Sequence, residues 1–301
     1  MSAAQAINMV MVGDFGKDLD DENALLYSVG AQRYGAINLL GVVANLQPAE
    51  TRARIAQGML EYFGLDIPVG IGTSCGVRDI TQAYEADVPY LSKRTDLPSG
   101  HEVLSQALES APDKSVVMVL NSGLTDAREF MYGEGDDLFR RKVARVAIMG
   151  GVRNDGSRPY LDKMGFLQPD DAANNNFDRS AAEDVYAYLQ IEQIPSTTLT
   201  REAAYACQFN MGFYERLAAA DAMIGQAIYD RQRPATEHLW RAANAPAGSA
   251  ERGTLPERCD RTWFIATYLG GIDPPDGEPV WDTALADGKF QLYDPLNVAS
   301  V

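Results

Sequence analysis

Residues 7–26 read INMVMVGDFGKDLDDENALL, an apolar run followed by a glycine-containing turn and an acidic segment. The run Ile7–Val12 is typical of a buried strand, because parallel strands are covered on both faces and carry nearly continuous apolar residues. Gly16 permits a tight turn, and Asp20 and Asp21 stand where a helix begins. A strand, a turn and a helix in this order form the first half of a βαβ unit. The stretch therefore predicts an α/β fold built on a parallel sheet.

The same alternation of apolar runs and helical patterns continues along most of the chain. Further strands are predicted at Leu39–Val43, Ile67–Ile71, Val116–Leu120, Val143–Ile148 and Ser196–Leu199. Helices are predicted at Asp21–Tyr34, Pro48–Phe63, Thr125–Tyr132, Ala181–Leu189 and Phe213–Arg231, loops after residue 71 and over 244–258, and short ordered segments at 262–268 and 280–285. No boundary divides the sequence. We therefore expect a single domain over residues 1–301, with a mainly parallel, doubly wound sheet flanked by helices.

The residues that directly follow the predicted strands are candidates for ligand binding. In doubly wound sheets, ligands bind at the carboxyl ends of the strands. The residues at or just beyond these ends are Asp14, Asn45, Asn121 and Met149. We expect the functional site at this edge of the sheet.

Composition excludes several classes of partner. The chain has 301 residues, 46% of them hydrophobic, and a formal net charge of −16. Nucleic-acid binding requires clustered Lys and Arg, so we expect no nucleic-acid partner. No apolar run approaches membrane-spanning length and no basic leader precedes the first strand, so we expect a cytoplasmic protein without a membrane partner. The three cysteines, which lack CxxC spacing, indicate neither a disulfide framework nor a zinc site.

The acidic segment needs an explanation for its charge. One or two aspartates can cap the helix and interact with its dipole. Capping does not account for Asp14, Asp18, Asp20 and Asp21 together, because closely spaced like charges repel unless a proton or a cation intervenes. A hard divalent cation such as Ca²⁺ or Mg²⁺ binds such oxygen ligands. A metal site is the interpretation we favour over a capped and solvated acidic turn.

The segment GDFGKDLDDENALL resembles the N-terminal signature of the nucleoside hydrolases, the Ca²⁺-dependent N-ribohydrolases, whose Asp-x-Asp-Pro-Gly-x-Asp-Asp turn holds the ion. The resemblance implies that Asp14 binds the metal and activates water, that Asp20 contacts ribose and that Asp21 is a bidentate metal ligand. It also departs from the family pattern. Phe15 replaces the proline, and three residues instead of one separate Gly16 from Asp20. Asp18, in this insertion, could supply a ligand or the base instead of Asp14, or be a surface charge.

The resemblance continues in order along the chain. The segments that carry it are GVVANLQPAETRARIAQGML, VVMVLNSGLTDARE, VARVAIMGG, DDAANNNFDRSAAEDV and PVWDTALA. It implies that Asn45 and Asn174 bind the sugar, that the Asn121 carbonyl binds the ion, that Met149 lies under the sugar and that Asp282 is the closing metal ligand. Taken alone, each asparagine is more often a turn residue, and Met149 is also typical of a core.

The group that protonates the leaving base is not evident. PVWDTALA resembles the His-Asp-Pro-x-Ala segment of the family. Many relatives have a histidine before the aspartate of this segment, where this chain has Trp281. Trp281 could stack on a base or be an ordinary buried aromatic. His101 and Tyr229 are other candidates, with alternative roles as a solvated loop histidine and a helix-packing tyrosine. Ala172 also replaces a family glutamate two residues before Asn174, for which Asp170 or Asp171 could compensate.

Two functions follow from the resemblance. The first is Ca²⁺-dependent hydrolysis of the N-glycosidic bond of a ribonucleoside, or of a modified or 5′-substituted one, with one bound ion. The second is a weakly active or inactive binding protein for a nucleoside or an ADP-ribose-like ligand. A phosphotransferase of the haloacid-dehalogenase type ranks below both, because Gly16 stands where its second aspartate is required. Relatives are commonly dimers or tetramers, so we expect a homo-oligomer.

Overall fold

The computed structural model describes residues 6–16, 18–75, 85–156, 158–253, 255–275 and 277–301. The chain divides into two compact units, the first comprising Met1–Arg201 and Tyr293–Val301 and the second Glu202–Leu292. The expectation of a single domain over 1–301 stays a prediction. The predicted sheet and the acidic turn both lie in the first unit.

The first unit is an α/β structure around one sheet. Its elements up to residue 199 are β1 (Ile7–Gly13), α1 (Asp20–Arg33), β2 (Ile37–Ala44), α2 (Ala49–Tyr62), β3 (Val69–Ile71), α3 (Gly100–Ser110), β4 (Val116–Leu120), α4 (Thr125–Tyr132), α5 (Asp136–Lys142), β5 (Val143–Met149), α6 (Ala173–Phe177), α7 (Arg179–Ile191) and β6 (Ser196–Leu199). The six strands lie in the order β3-β2-β1-β4-β5-β6, and all neighbours are parallel. This confirms the predicted doubly wound α/β fold.

The strand order reverses beside β1, which places a crevice at its carboxyl end. Hydrogen bonds fix the residues that follow each central strand at the same level. The Asn45 N–H donates to the Gly13 carbonyl at 3.0 Å, and the Asn121 N–H donates to the Val12 carbonyl at 2.9 Å. Asp14, Asn45 and Asn121 therefore emerge side by side from β1, β2 and β4.

The core explains why these strands read as apolar runs. Strand residues such as Val10, Met118, Leu120 and Ile148 are fully buried against helices that cover the sheet. Burying a side chain of this size contributes about 1.5–3 kcal/mol. The rigid sheet gives the polar residues at its carboxyl edge a fixed backbone.

Helix α3 lies where the sequence analysis expected only a loop. It begins with a capping box, in which the Ser99 hydroxyl accepts from the Glu102 N–H at 3.2 Å and Glu102 Oε2 accepts from the Ser99 N–H at 2.8 Å. This Ser-x-x-Glu pattern was visible in the sequence and predicts a helix start.

The second unit is mainly helical. It contains α8 (Arg201–Ala206, which begins at the boundary), β7 (Gln208–Phe209), α9 (Met211–Ala220), α10 (Ile224–Asn244), α11 (Arg261–Tyr268), α12 (Trp281–Ala286) and β8 (Phe290–Gln291). Strands β7 and β8 pair antiparallel. Trp240, Ala243 and Phe264 form the centre of its core. Among the described residues, no helix combines the length and apolar character needed to cross a bilayer.

The helix predicted over Phe213–Arg231 is two helices in the structure. Asp221 separates them, because its Oδ1 accepts from the N–H groups of Met223 at 3.0 Å and Ile224 at 2.6 Å and so caps the second helix. Helix α10 then continues through Pro234 to Asn244. The prediction ended it too early because a proline usually breaks a helix.

The chain returns to the first unit as a final helix, α13 (Tyr293–Ala299), which packs on α1 and beside β5. The sequence analysis did not predict this helix. It is only seven residues long, and its position depends on packing against α1.

Two helical glycines give a matched test of how closely the helices of the first unit pack against their neighbours. A methyl group on Gly58 in α2 would lie 1.6 Å from the Tyr90 carbonyl oxygen, whereas one on Gly30 in α1 would meet nothing within 4 Å. We expect Gly58→Ala to lower the free energy of unfolding by about 1–3 kcal/mol. Gly30→Ala should raise it by up to about 1 kcal/mol. Urea denaturation measures both, and equal effects of the two variants would contradict the assigned packing.

Candidate metal centre

The turn after β1 is held in place by groups from α1 and from residues 85–90, which lie between β3 and α3. Gly16 adopts φ +86°, a conformation that other residues rarely take, and a Cβ there would lie 2.1 Å from the Glu85 carbonyl oxygen. Glu22 Oε2 accepts from the Gly16 N–H at 3.3 Å, and Glu22 Oε1 accepts from the Tyr90 hydroxyl at 3.2 Å. The fully buried Glu22 thus fixes the turn and does not join the aspartate cluster.

Five aspartates form two overlapping groups beside this turn. The first carboxylate group is Asp14, Asp18 and Asp21, and the second carboxylate group is Asp20, Asp21 and Asp294. Within each group, one carboxylate oxygen from each residue lies within 4.8 Å of the others. Asp21 belongs to both groups, and only Asp18 is exposed.

The Asp21 carboxylate tests whether a cation fits here. The residue is fully buried, and neither carboxylate oxygen has a hydrogen-bond partner among the described residues. Gly13 leaves the space that this carboxylate fills, since a Cβ at Gly13 would lie 2.2 Å from Asp21 Oδ1. Buried unpaired charge is strongly unfavourable, and hard divalent cations bind carboxylate oxygens. The residues present therefore fit a divalent metal ion.

The electrostatics of the cluster are those of a crowded acidic site. Burial raises the pKa of Asp20, Asp21 and Asp294 well above the usual aspartate value. Repulsion adds to this, mainly from Asp18 on the carboxyls of Asp20 and Asp294, and from Asp294 on that of Asp21. A bound cation would offset the same repulsion.

A buried arginine organises the two loops that carry Asp14 and Asn45. Arg52, on α2, is 1% exposed and lies 3.5 Å from Glu85. Its guanidinium donates to the main-chain carbonyls of Asp14 (3.2 Å), Phe15 (2.9 Å), Leu46 (3.1 Å) and Gln47 (3.3 Å). These bonds fix the backbone on either side of the site. Arg52 lies in a segment that carried the resemblance, but sequence reasoning gave it no role.

Asn45 is fully buried and is bound to its neighbours through its amide nitrogen. Nδ2 donates to the Gly123 carbonyl at 2.9 Å and to Asp126 Oδ2 at 2.8 Å. Asp126 also accepts from the Thr73 N–H at 2.9 Å and the Thr73 hydroxyl at 2.8 Å. The Asn45 carbonyl oxygen has no partner among the described residues, so it is the atom that can face a ligand. The sequence analysis missed this supporting role of Asp126.

Asn121, Met149 and Asn174 converge on one hydrogen-bonded corner. Asn174 Nδ2 donates to the Asn121 carbonyl at 2.7 Å and to the Met149 carbonyl at 3.1 Å. A carbonyl oxygen has two lone pairs, so the Asn121 carbonyl can accept this bond and still coordinate a cation. The Asn174 side chain is thereby anchored, with its own carbonyl oxygen left to meet a ligand.

The loop before Asn174 is held by an ion pair. Arg201 donates to the carboxylates of Asp170 and Asp171, the latter at 2.6 Å. Asp170 Oδ1 also accepts from the Ala172 N–H at 2.8 Å. The two carboxylates that could have compensated for Ala172 are therefore engaged with protein partners.

The structure places Asp294 in the acidic cluster, and the expectation that Asp282 is the closing metal ligand stays a prediction. Asp294 is 3% exposed, and Asn297, one turn further along α13, donates to Asn121 Oδ1 at 2.8 Å and so ties this helix to the end of β4. Asp282 lies in the second unit, where its carboxylate is 89% exposed and pairs with Arg233 at 3.0 Å. The Asp294-Pro295 pair also preserves the Asp-Pro of the family segment, a signal that the sequence analysis overlooked.

The three aromatic candidates have ordinary surroundings in the structure. Trp281 packs against the core of the second unit. Tyr229 is a half-buried residue within α10. His101 is exposed in the first turn of α3, with its ring centroid 5.1 Å from that of Phe130. The roles considered for them, base stacking by Trp281 and protonation of the leaving base by His101 or Tyr229, stay predictions.

Solved structures with this fold provide an independent comparison. The type III effector protein XopQ, solved in complex with adenosine diphosphate ribose, is 28% identical, covers 100% of this chain and 82% of its own, and has a TM-score of 0.76. The effector protein XOO4466 is 26% identical over 99% of this chain and 81% of its own, with a TM-score of 0.75. The plant nucleoside hydrolase PpNRh1 is 16% identical over 98% of this chain and 78% of its own, with a TM-score of 0.60. Neither a protein-family model nor a curated protein matches the chain.

The chain has the nucleoside hydrolase fold and is a divergent member of that fold group. Within the group it is similar to XopQ in sequence as well as in fold. In a chain with this fold, the acidic cluster is a site that can hold a metal ion.

Arg52 can be tested against a second arginine on the same helix. Arg54 Nε donates instead to the Ser92 carbonyl at 2.8 Å, away from the turn after β1. We expect Arg52→Met to weaken Ca²⁺ affinity about tenfold or more, because loss of several charged hydrogen bonds frees the Asp14 backbone. Arg54→Met should retain the affinity. Isothermal titration of Ca²⁺ measures this, with Arg52→Lys expected to recover part of the loss, and equal affinities in the two methionine variants would contradict the assignment.

The raised pKa values predict how metal and pH act together on stability. Carboxyls whose pKa is raised by folding hold more protons in the folded state, so without metal the stability falls as pH rises above the ordinary aspartate pKa. Ca²⁺ replaces those protons. The increase in Tm produced by Ca²⁺ over a chelator should therefore grow between about pH 5 and 8. A Ca²⁺ effect that shrinks over this range would contradict the prediction.

Proposed function

We propose that this protein hydrolyses the N-glycosidic bond of a ribonucleoside, or of a modified or 5′-substituted nucleoside, with Ca²⁺ bound at the acidic cluster. The observation that carries the proposal is the Asp21 carboxylate, fully buried, without a hydrogen-bond partner in the described part of the chain, and surrounded by other carboxylates. A site without an ion would have no use for this costly arrangement.

The proposed ligands and base come from the ends of the central strands and from α13. Asp14, Asp21 and Asp294 supply carboxylate oxygens to the ion, and the Asn121 carbonyl adds a neutral one. A bound divalent ion supplies a lowered pKa to its water and holds ribose hydroxyls in position. Asp14 accepts the proton of the attacking water, a role that its fixed backbone supports.

The sugar is held by groups that surround this point. We propose that Asp20 accepts a hydrogen bond from one ribose hydroxyl. The carbonyl oxygens of Asn174 and of Asn45, the latter unpartnered among the described residues, accept others. Met149, buried at the end of β5, packs under the sugar ring. Fixing the ribose in this way directs binding energy to the glycosidic bond.

The proposed chemistry favours a base that leaves without strong acid assistance. Tyr293 precedes Asp294, where many relatives carry a histidine. A cationic base such as the pyridinium of nicotinamide riboside leaves as a neutral molecule, so it needs no proton from the protein. Such a nucleoside belongs in the assay beside inosine and uridine.

The second candidate function is binding of an ADP-ribose-like ligand without turnover. It is favoured by the likeness to XopQ, which was solved in complex with adenosine diphosphate ribose. Both functions use a metal-held ribose. They differ in whether a base is released, which makes them separable in one assay.

Asp294 and Asp282 give the sharpest test of the site. We expect Asp294→Asn to lower base release from the best nucleoside of the panel by at least about 100-fold, because it removes an ion ligand. Asp282→Asn, which loses only an exposed ion pair, should stay within about twofold of the wild type. Base release is measured with Ca²⁺ and with a chelator, and ADP-ribose binding is measured on the same preparations.

The outcomes separate the two functions. Ca²⁺-dependent release that disappears in Asp294→Asn supports hydrolysis. ADP-ribose binding with no release from any nucleoside would overturn hydrolysis in favour of binding. Loss of activity in Asp282→Asn with retention in Asp294→Asn would return the closing ligand to Asp282.

A further inference from the structure

We propose that the loop between β5 and α6, residues 152–169, binds a phosphate group carried on the ribose of the ligand. This inference rests on the proposed function, because it adds a subsite beside the same sugar. It names a phosphorylated ribose, as in a nucleoside monophosphate or a diphosphate-linked ribose, as the class of ligand. The position of the loop and its basic side chains carry the inference.

The 152–169 loop is attached to the corner where the sugar is proposed to bind. It begins three residues after Met149 and ends five residues before Asn174. The base of the loop is also tied to this corner, because the Gly151 carbonyl accepts from Asn175 Nδ2 at 3.0 Å. A group that extends from the sugar past the end of β5 therefore meets this loop first.

The backbone of the loop holds it in a defined shape. Three antiparallel bridges cross it, Val152 to Pro169, Asn154 to Pro159 and Leu161 to Leu167. The Tyr160 N–H also donates to the Arg153 carbonyl at 2.6 Å, which brings these two residues side by side. Less ordering is needed on binding when the backbone already has a fixed shape. The loop can therefore present its side chains to a ligand.

The acidic and basic side chains of the loop are used differently. Asp155 and Asp162 each accept from main-chain N–H groups of the loop itself, at 2.8 to 2.9 Å. By contrast, Arg153, Arg158 and Lys163 pair with no acidic side chain among the described residues, and all three are exposed. They lie in a chain whose formal net charge is −16, so their positive charge is unusual here. Such cations attract an anion, and the anionic group that a ribose carries is a phosphate ester.

Arg153 is the basic side chain nearest in sequence to the sugar corner. Its guanidinium lies over the Tyr160 ring, 5.0 Å from the ring centroid. Stacking uses the face of the planar guanidinium and leaves its N–H edge to bind phosphate oxygens in pairs. Consecutive Cα atoms are about 3.8 Å apart, so the Cα atoms of Arg153 and Met149 are separated by at most about 15 Å. An arginine side chain and a phosphate that projects from the sugar can bridge this distance.

Ribose 5-phosphate and ribose are the matched probes for this subsite. They differ only in the phosphate, and neither has an N-glycosidic bond that the protein could hydrolyse. Binding to the full chain is measured by NMR titration in the presence of Ca²⁺, with ADP-ribose as a third probe. We expect ribose 5-phosphate to bind at least about tenfold more tightly than ribose, and this preference to decrease as the salt concentration rises.

Variants assign the preference to the loop. Arg153→Met should reduce it to about twofold or less, because the charged hydrogen bonds are lost. Arg141→Met is the control, since it removes an equal charge from a 50% exposed side chain just before the amino end of β5, at the opposite edge of the sheet, and it should retain the preference. Tyr160→Phe should also retain it, whereas Tyr160→Leu should lose part of it, because only an aromatic ring stacks under the guanidinium. Circular dichroism checks that each variant is folded.

Three results would overturn the inference. The first is equal affinity of the wild type for ribose and ribose 5-phosphate. The second is no measurable binding of ribose 5-phosphate or ADP-ribose. The third is a preference that survives in a variant in which Arg153, Arg158 and Lys163 are all replaced by methionine, because the phosphate would then bind Ca²⁺ or another part of the protein.

Failure of this inference is distinct from failure of the proposed function. Base release from inosine or uridine, with no preference for ribose 5-phosphate over ribose, would remove the phosphate subsite and leave hydrolysis intact. A phosphate preference that depends on Arg153, with no base release from any nucleoside, would support the subsite and overturn hydrolysis.

Discussion

The rest of this structure depends on the repulsion among carboxylates gathered at the end of β1. A protein can keep such charge buried only if the backbone holds the carboxylates together and something compensates them. The parallel sheet provides the first condition, because the hydrogen bonds of Asn45 and Asn121 to β1 fix three loop starts at one level. Arg52 strengthens it by binding carbonyls from two of these loops. In the proposed function, a bound cation supplies this charge compensation.

The sequence predicted the sheet well because its signal is local and repeated. The apolar runs at β1, β2, β4 and β5 are strands that are mostly buried on both faces, and the turn after β1 contains a glycine that its positive φ requires. The same reasoning placed Asp14, Asn45 and Asn121 at the carboxyl edge. Helix α3 escaped prediction although its capping box was present, which shows that cap signals deserve the same weight as apolar periodicity.

The position of Asp294 beside the acidic turn depends on tertiary packing, which local pattern does not reveal. Asp294 acts through the packing of α13 on α1 and through the bond of Asn297 to Asn121, contacts between residues more than 170 positions apart. Asp282 carried an equally acidic local signal, but the fold gives it Arg233 as a partner. Asp294 is followed by proline and Asp282 is not. The Asp-Pro pair therefore matches the family segment better than the apolar residues around Asp282 do.

Two neutral amide side chains have fixed positions beside the charged carboxylates of the site. Asn45 and Asn174 each use their amide nitrogen to hold main-chain or carboxylate oxygens, which orients the remaining carbonyl oxygens. Oxygen atoms oriented in this way can accept hydroxyl hydrogens but cannot neutralise carboxylates. In the proposed function, these oxygens accept the hydroxyl groups of a sugar ring, whereas a cation balances the charge of the carboxylates. That division of roles, with fixed neutral acceptors for the sugar and carboxylates for cations, is the physical reason why metal occupancy and ligand binding should be coupled here.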